Sequence, residues 1–294
     1  ADLNIPGADL EGSFGAADFV NWYDAHPDFP LEWPLEAKEV AVIGKGNVAL
    51  DVARILVKRP DDLLSTDIPD HVYEGLRASP VTDVHVFGRR GPAQVKFSPL
   101  ELRGALHVEG VQAIVYDEDF KYDEGSQEAI DSNNQIRVMV KTLEDLRENP
   151  AEPQERRLHL HFFSSPHEIL GTDGKVSAIR FERTELDGTG RVKGTGEVRE
   201  FPVQAVYRAV GYFGSELDGI PCQRCLHLIE RRSRTNICHF FFPRFSREGS
   251  PPPRLCVMWH WSYRWISCNS PCCPSLACAN MAVAACCRIW FFAR

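Results

Sequence analysis

Cysteine is missing from residues 1–221 of this 294-residue chain, and lysine is missing from everything after them. All 10 cysteines fall between Cys222 and Cys287. The first absence excludes a disulfide scaffold and a cysteine-ligated cluster from the larger part of the chain, and it suits the reducing cytoplasm. No signal peptide is recognisable. No apolar run reaches the ~20 residues that a membrane-spanning helix takes; residues 281–292 are apolar but short, and Arg288 interrupts them. Acids are scarce after residue 221, where only Glu230 and Glu248 remain. Residues 1–221 therefore carry 23 basic and 39 acidic side chains, net −16, while residues 222–294 carry 10 and 2, net +8. The overall charge of −8 argues against nucleic acid as a partner.

What is present points to a dinucleotide site. Residues 40–43 are a β-branched run that ends in Gly44-Lys45-Gly46-Asn47-Val48-Ala49 and continues as a helix-forming segment. Such a strand is buried, Gly44 permits a tight turn, and Gly46 lets a pyrophosphate approach the backbone. The following helix aims its N-terminus at that phosphate. Glycine turns also join strand to helix in α/β folds that bind nothing, so the turn alone does not settle the matter. A second strand, Val84-His85-Val86-Phe87, runs into Gly88-Arg89-Arg90-Gly91-Pro92. An NAD site places a carboxylate at this tip for the ribose hydroxyls, whereas two guanidiniums match a phosphate. Arg89 and Arg90 thus read as a clamp for the 2′-phosphate of NADP, the plain alternative being a solvated basic turn. Gly88 falls well beyond the ~20 residues expected after the glycine loop. The excess, residues 59–80, is polar, with Asp61, Asp62, Asp67, Asp70 and a short helical pattern at Val72 and Leu76, and reads as an insertion.

Five ordered blocks, GKGNVALDVARIL, GRRGPAQVKFSPLELR, LHLHFFSSPHEILG, RFERTELDGTG and VQAVYRAVGY, carry a family resemblance. Together they resemble the NADP domain of the adrenodoxin-reductase-like ferredoxin–NADP reductases, particularly the bacterial members, over roughly residues 1–221. The opening, ADLNIPGADLEGSFGAADFVNWYDAHPDF, resembles the link from that family's flavin domain into its NADP domain. The resemblance implies two α/β nucleotide-binding lobes, FAD in one and NADP in the other, with the flavin lobe built from both chain ends. No strand-GxGxxG-helix unit precedes Ala1, so the chain is expected to be a fragment.

Carried over residue by residue, the resemblance assigns Gly46, Asn47, Val48 and Ala49 to the pyrophosphate turn, Arg89 and Arg90 to the 2′-phosphate, and Glu101 to a further NADP contact. Ser98-Pro99-Leu100-Glu101 is also a capping box with proline at the first helical position, so Glu101 serves as contact, as cap, or as both. Where the family usually continues Arg-Glu-Leu, with the glutamate near the nicotinamide, this chain has Arg103-Gly104-Ala105. Hydride transfer is chiefly a matter of placing two rings, so this loss need not abolish it.

Several segments are read from pattern alone. Residues 158–163 alternate as a half-buried strand and place His159 and His161 on one face. Without a third ligand nearby they read as exposed strand histidines, and no metal site is expected. Residues 124–154 read as a surface helix followed by a loop. Residues 175–181 and 201–209 read as further strands, the second resembling the point at which the family's chain returns to the flavin lobe.

The fold class expected is α/β: a Rossmann-like NADP-binding domain with a parallel sheet and an inserted antiparallel β region, beside an incomplete flavin-binding lobe. Its division is 1–36 as the link from the flavin lobe, 37–207 as the NADP-binding domain, 208–221 as the return, and 222–294 as a cysteine-rich tail. That tail lacks the family's closing Gly-Trp and Gly-Pro-Thr-Gly elements. Its excess of Arg, Pro, Cys, Ser, Ala and Trp is the signature of a shifted reading frame in a GC-rich gene. The alternative is a zinc module begun by Cys222 and Cys225, although the adjacent pairs Cys272-Cys273 and Cys286-Cys287 fit no familiar ligand pattern. The activity implied is flavin-dependent electron transfer between NADPH and a ferredoxin-type iron–sulfur protein, in the cytoplasm, with no membrane partner and with NADP binding retained in this chain. The alternatives are a flavoprotein like the small subunit of glutamate synthase, or a non-catalytic NADP-binding or zinc-stabilised protein.

Overall fold

The computed structural model describes residues 3–187 and 190–211 and, beyond them, the two-residue strands Ile237–Cys238 and Met258–Trp259, which pair antiparallel. The expectations for the rest of the return segment and for the cysteine-rich tail, Cys222 and Cys225 included, lie outside the described residues.

In chain order the body consists of β1 (Ser13–Gly15), α1 (Ala16–Tyr23), β2 (Glu39–Ile43), α2 (Asn47–Val57), α3 (Asp70–Ala78), β3 (Asp83–Phe87), α4 (Pro99–Leu106), β4 (Val111–Ile114), α5 (Glu124–Ser132), α6 (Asn134–Glu148), β5 (Arg156–His161), β6 (Ser164–Thr172), β7 (Lys175–Leu186), β8 (Val192–Phe201) and β9 (Ala205–Arg208). Six strands form one parallel sheet in the order β1-β9-β2-β3-β5-β4. Three form an antiparallel sheet, β6-β7-β8, inserted between β5 and β9.

The parallel strands read as continuous apolar runs because both faces are covered. Strand alternation sorts their side chains. Val40, Val42, Val84, Val86, Leu158, Leu160, Ala205 and Tyr207 enter a core shared with the helices. Ala41, Ile43, Phe87 and Val206 point the other way and pack with Ile169, Ile179 and Phe181 of the antiparallel sheet. The β6-β7 hairpin turns through Asp173 and Gly174, both at positive φ (53° and 81°), which matches the twist of its strands.

Residues 13–23 supply the edge strand β1, paired with β9, and helix α1, whose Phe19 and Trp22 are buried. Trp33 Nε1 donates to the hydroxyl of the buried Tyr207 at 3.0 Å, fixing the segment before β2 to the sheet. The polar stretch 59–80 lies between α2 and β3 as expected, and holds a short 3-10 turn, Pro60–Leu63, as well as α3.

Two local readings change. The single helix expected in 124–154 is two helices, because Asn133 takes an extended conformation (φ −124°, ψ 110°) and its side chain caps the N–H groups of Gln135 and Ile136. The single strand expected over 201–209 is also divided: Phe201 ends β8 in the antiparallel sheet and β9 begins at Ala205 in the parallel one. Pro202 stands at the break and has no N–H to offer a ladder.

Candidate functional site: the rim of the parallel sheet

The carboxyl ends of β2 and β3 lie side by side, with Ile43 paired in register with Phe87. The Gly44 N–H donates to the Phe87 carbonyl at 3.0 Å and the Ala209 N–H to the Ile43 carbonyl at 2.8 Å. A Cβ on Gly44 would sit 2.5 Å from the Ala209 oxygen, so glycine is required there for backbone to pass backbone. Gly46 differs, because a Cβ on it would meet nothing within 4 Å among the described residues. It is the N-cap of α2, no side chain caps that helix, and its first turn holds no acid. The described residues therefore leave the positive end of the helix uncovered, an arrangement suited to an anion.

Asn47, Val48 and Ala49 form the first turn of α2. Asn47 Oδ1 accepts the backbone N–H of Ser98 at 2.9 Å, tying the glycine turn to α4. Ser98 Oγ accepts from the Glu101 N–H at 3.2 Å, the expected half of a capping box. The reciprocal half does not form, because Asn47 already holds the Ser98 N–H. The Glu101 carboxylate instead lies 3.9 Å from Arg54 Nη1, and Arg54 Nη2 donates to Asp51 Oδ1 at 2.8 Å. Burial, aided by the neighbouring Glu101 and opposed by Arg54, pushes the Asp51 carboxyl up to about 6. Asp51 and Arg54 were within reach of sequence reasoning, three residues apart on one face of α2.

Arg89 and Arg90 follow β3 on a loop held by its own backbone. Thr184 Oγ1 donates to the Arg89 carbonyl at 3.0 Å, the Phe163 N–H to the Arg90 carbonyl at 3.2 Å, and the Gly88 N–H to the His161 carbonyl at 2.9 Å. Both side chains stay available: Arg89 is exposed, and Arg90 is half-buried with its Nε lacking a partner among the described residues. The structure thus brings Gly44, Gly46, Asn47, Val48, Ala49, Arg89 and Arg90 to one rim, with Glu101 behind it on the Arg54 side.

The histidines depart from expectation. His159 and His161 are each 8% exposed, and His85 of the neighbouring strand, 9% exposed, joins them. They face the antiparallel sheet, with Phe201 against His85 and His161. Sequence reasoning missed the third member because it arrives by parallel register, His85 opposite His159. His85 Nδ1 and His161 Nε2 are 3.0 Å apart with ring centroids 5.3 Å apart. Their nitrogens therefore point along one line at each other, which is the geometry of a shared proton rather than of two lone pairs converging on an ion. His159 Nε2 lies 2.9 Å from Asp83 Oδ1, and its Nδ1 lies 2.9 Å from the Tyr116 hydroxyl. Burial pushes His85 down to about 3 and His161 to about 2, and lowers His159 as well. This is a neutral, hydrogen-bonded layer.

Fold and rim together define the class: a Rossmann-type dinucleotide-binding domain whose second strand ends in cations. No family model matches the chain. Among curated proteins it is 44% identical over 230 residues to the NADPH-ferredoxin reductase FprA of Mycobacterium leprae, covering 74% of this chain and 49% of that protein. It is 35% identical to the mitochondrial NADPH:adrenodoxin oxidoreductase of Arabidopsis thaliana, covering 75% of this chain and 48% of that protein. Among solved structures, Mycobacterium tuberculosis FprA in complex with NADPH superposes with a TM-score of 0.69 at 43% identity, over 75% of this chain and 49% of that one. The chain is a relative of the adrenodoxin-reductase-like ferredoxin–NADP reductases, and it spans about half the length of the curated relatives it matches. Among the described residues no helix is long and apolar enough to cross a membrane.

Proposed function

We propose that this chain is the NADP-binding part of a flavin-dependent oxidoreductase that passes electrons between NADPH and a ferredoxin-type iron–sulfur protein. The observation that carries this reading is the pairing of an open, uncapped α2 N-terminus at Gly46 with two guanidiniums, Arg89 and Arg90, at the neighbouring strand tip. The turn would hold the pyrophosphate through backbone N–H groups, and the arginines would hold the 2′-phosphate. Gly44 keeps the turn against β9, and Asn47 fixes α4 beside it. In a complete enzyme of this type, bound FAD would supply the exchange between two-electron hydride chemistry and single-electron transfer. An iron–sulfur partner, a one-electron carrier, would exchange those electrons one at a time. A cytoplasmic location agrees with the cysteine-free body.

The test is the affinity of the full chain for NADP⁺ and NAD⁺, before and after Arg89→Ala with Arg90→Ala. Loss of charge-assisted bonds worth about 1.5–3 kcal/mol each predicts at least a hundredfold loss for NADP⁺ and little change for NAD⁺. Equal losses would sink the clamp.

A second reading, a chain that binds NADP without turnover, follows from the resemblance given above, by which Gly104 stands where that family usually has a glutamate. Residues 222–294 we attribute to a shifted reading frame, on the strength of the break in cysteine, lysine and charge at residue 221. Translating the coding DNA across codon 222 in all frames tests this. An acidic, lysine-containing continuation in another frame supports the attribution, and its absence returns attention to the cysteines as zinc ligands.

A further inference from the structure

We propose that Lys45, the residue between the two glycines of the turn, is a third cation of the 2′-phosphate clamp and so a determinant of NADP over NAD. This rests on the reading of the rim given above and extends it to a residue that neither the glycine pattern nor the Arg-Arg pair identifies.

The case is geometric. Lys45 is held from both ends by the segment that follows the arginines: its Nζ donates to the Gln94 carbonyl at 3.0 Å, and its own carbonyl accepts the Lys96 N–H at 3.0 Å. Its β-carbon lies 3.6 Å from the position of a Cβ on Gly88, the residue that opens the arginine loop. The side chain therefore runs across the gap between the two strand tips instead of into solvent. Arg89, Arg90 and Lys96 all lie within electrostatic reach of it. Among the described residues none of the four has a carboxylate partner, although ion pairs are frequent elsewhere on this acidic body. Two buried polar atoms in the same rim also lack partners, Arg90 Nε and Gln94 Oε1.

Four cations gathered without an anion repel one another. The cost is visible in Lys45, which burial, then Arg90, Lys96 and Arg89, push down to about 8. A dianionic phosphate placed among them reverses the balance, because the same positive field that disfavours each ammonium then favours the ligand. The pyrophosphate is the other anion nearby. It is already served by the α2 N-terminus, whereas Lys45 leans toward Gly88 and Gln94, on the β3 side.

Fragments of the dinucleotide separate the two phosphates. Titration of the full chain with NADP⁺, 2′,5′-ADP, NAD⁺ and 5′-AMP is repeated with Lys45→Gln and with Lys45→Arg. We expect Lys45→Gln to weaken NADP⁺ and 2′,5′-ADP about tenfold or more while NAD⁺ and 5′-AMP change less than about twofold. Lys45→Arg should restore the binding of 2′,5′-ADP. In the unaltered chain the affinity for 2′,5′-ADP should fall as the pH rises through about 8, where Lys45 loses its proton, and Lys45→Arg should remove that fall. A variant that merely loosens the turn would weaken all four ligands and leave the pH profile unchanged. Equal losses for NAD⁺ and NADP⁺ would move Lys45 to the pyrophosphate and overturn the assignment. Unchanged NADP⁺ affinity in Lys45→Gln would overturn it while leaving the NADP reading intact. An unaltered chain that binds neither NADP⁺ nor 2′,5′-ADP would overturn both.

Discussion

Strand β3 and its neighbours run through two regions of opposite chemistry. In the layer under the antiparallel sheet, Asp83 receives two bonds from Arg157, one from Thr82 and one from His159, while His85 pairs with His161. At the rim just beyond, Lys45, Arg89, Arg90 and Lys96 have no counterion among the described residues, and Gly46 leaves open space. A satisfied polar group contributes to the folded state alone, whereas an unsatisfied one in a formed site has its partner elsewhere. The contrast therefore gives stability to one region and, on the reading proposed above, binding to the other, and substitutions of the charged side chains in each should move chiefly its own readout.

The largest effect is expected at Asp83. Burial alone would raise its carboxyl, but the bonds from Arg157, Thr82 and His159 together hold it well below the usual carboxylate range. Asp83→Ala leaves a buried histidine and a half-exposed arginine without their acceptor, at a cost of about 2–4 kcal/mol for the several hydrogen bonds lost. Denaturant unfolding measures the loss. The ratio of NADP⁺ to NAD⁺ affinity in the folded fraction should not move, and a shift in that ratio would erase the division between the two regions.

The histidine layer sharpens the comparison through pH. Its members titrate below the unfolded value near 6.5, so the stability they contribute is complete above that pH and is lost as the pH falls toward 3. Well below pH 6.5 the slope should approach about 1.4 kcal/mol per histidine per pH unit. Unfolding of the chain at pH values between 7.5 and 5.5, set against a variant with valine at 85, 159 and 161, isolates it. A variant with the same slope would place the acid sensitivity elsewhere.

How much of this was legible in the sequence follows the range of the interactions. The β2 turn, the α2 start and the Arg89-Arg90 tip are patterns contiguous in the sequence, although distant residues, Ala209 at the turn and Phe163 and Thr184 at the arginine loop, hold two of them in place. The Ser98 cap was likewise legible, while the destination of the Glu101 carboxylate was not, because Asn47 of another helix takes the Ser98 N–H. The histidines were misread as exposed for a similar reason. Alternation shows that His159 and His161 share a face, but only the β6-β7-β8 sheet, which follows them in the chain, covers that face, and only the parallel register delivers His85. Lys45 was hidden by the motif itself, since the residue between the glycines is unspecified in the fingerprint.

The two glycines of the turn divide structure from binding within three residues. Gly44→Ala sets a Cβ 2.5 Å from a backbone oxygen that cannot rotate away, so the end of β9 must shift at a cost of about 1–3 kcal/mol. Gly46→Ala meets nothing, and its backbone (φ −104°, ψ 174°) suits any residue, so stability should change by less than about 1 kcal/mol. Its methyl instead occupies the space proposed for the pyrophosphate, and dinucleotide affinity should fall for NAD⁺ and NADP⁺ alike. Thermal unfolding and ligand titration on the pair give the pattern, and a stable Gly46→Ala protein with unchanged affinity would remove the turn from the binding site.

The smallest effect lies at Gly104, where the rim meets the Asp51–Arg54–Glu101 cluster. A Cβ there would stand 3.1 Å from Arg54 Nη1, which is tight, but the neighbour is the far end of a flexible side chain. Gly104→Glu replaces a glycine inside α4 with a good helix former, a gain of about 0.5–1 kcal/mol. It also sets a carboxylate within reach of a guanidinium already shared by two others. If Arg54 turns toward it, Asp51 loses the partner that opposes its burial and should titrate still higher than about 6. A modest rise in melting temperature together with an upward shift of the Asp51 titration, read by carboxyl NMR, is therefore expected. A fall in stability would mean that Arg54 is fixed in place, and that the glycine is the residue this cluster requires.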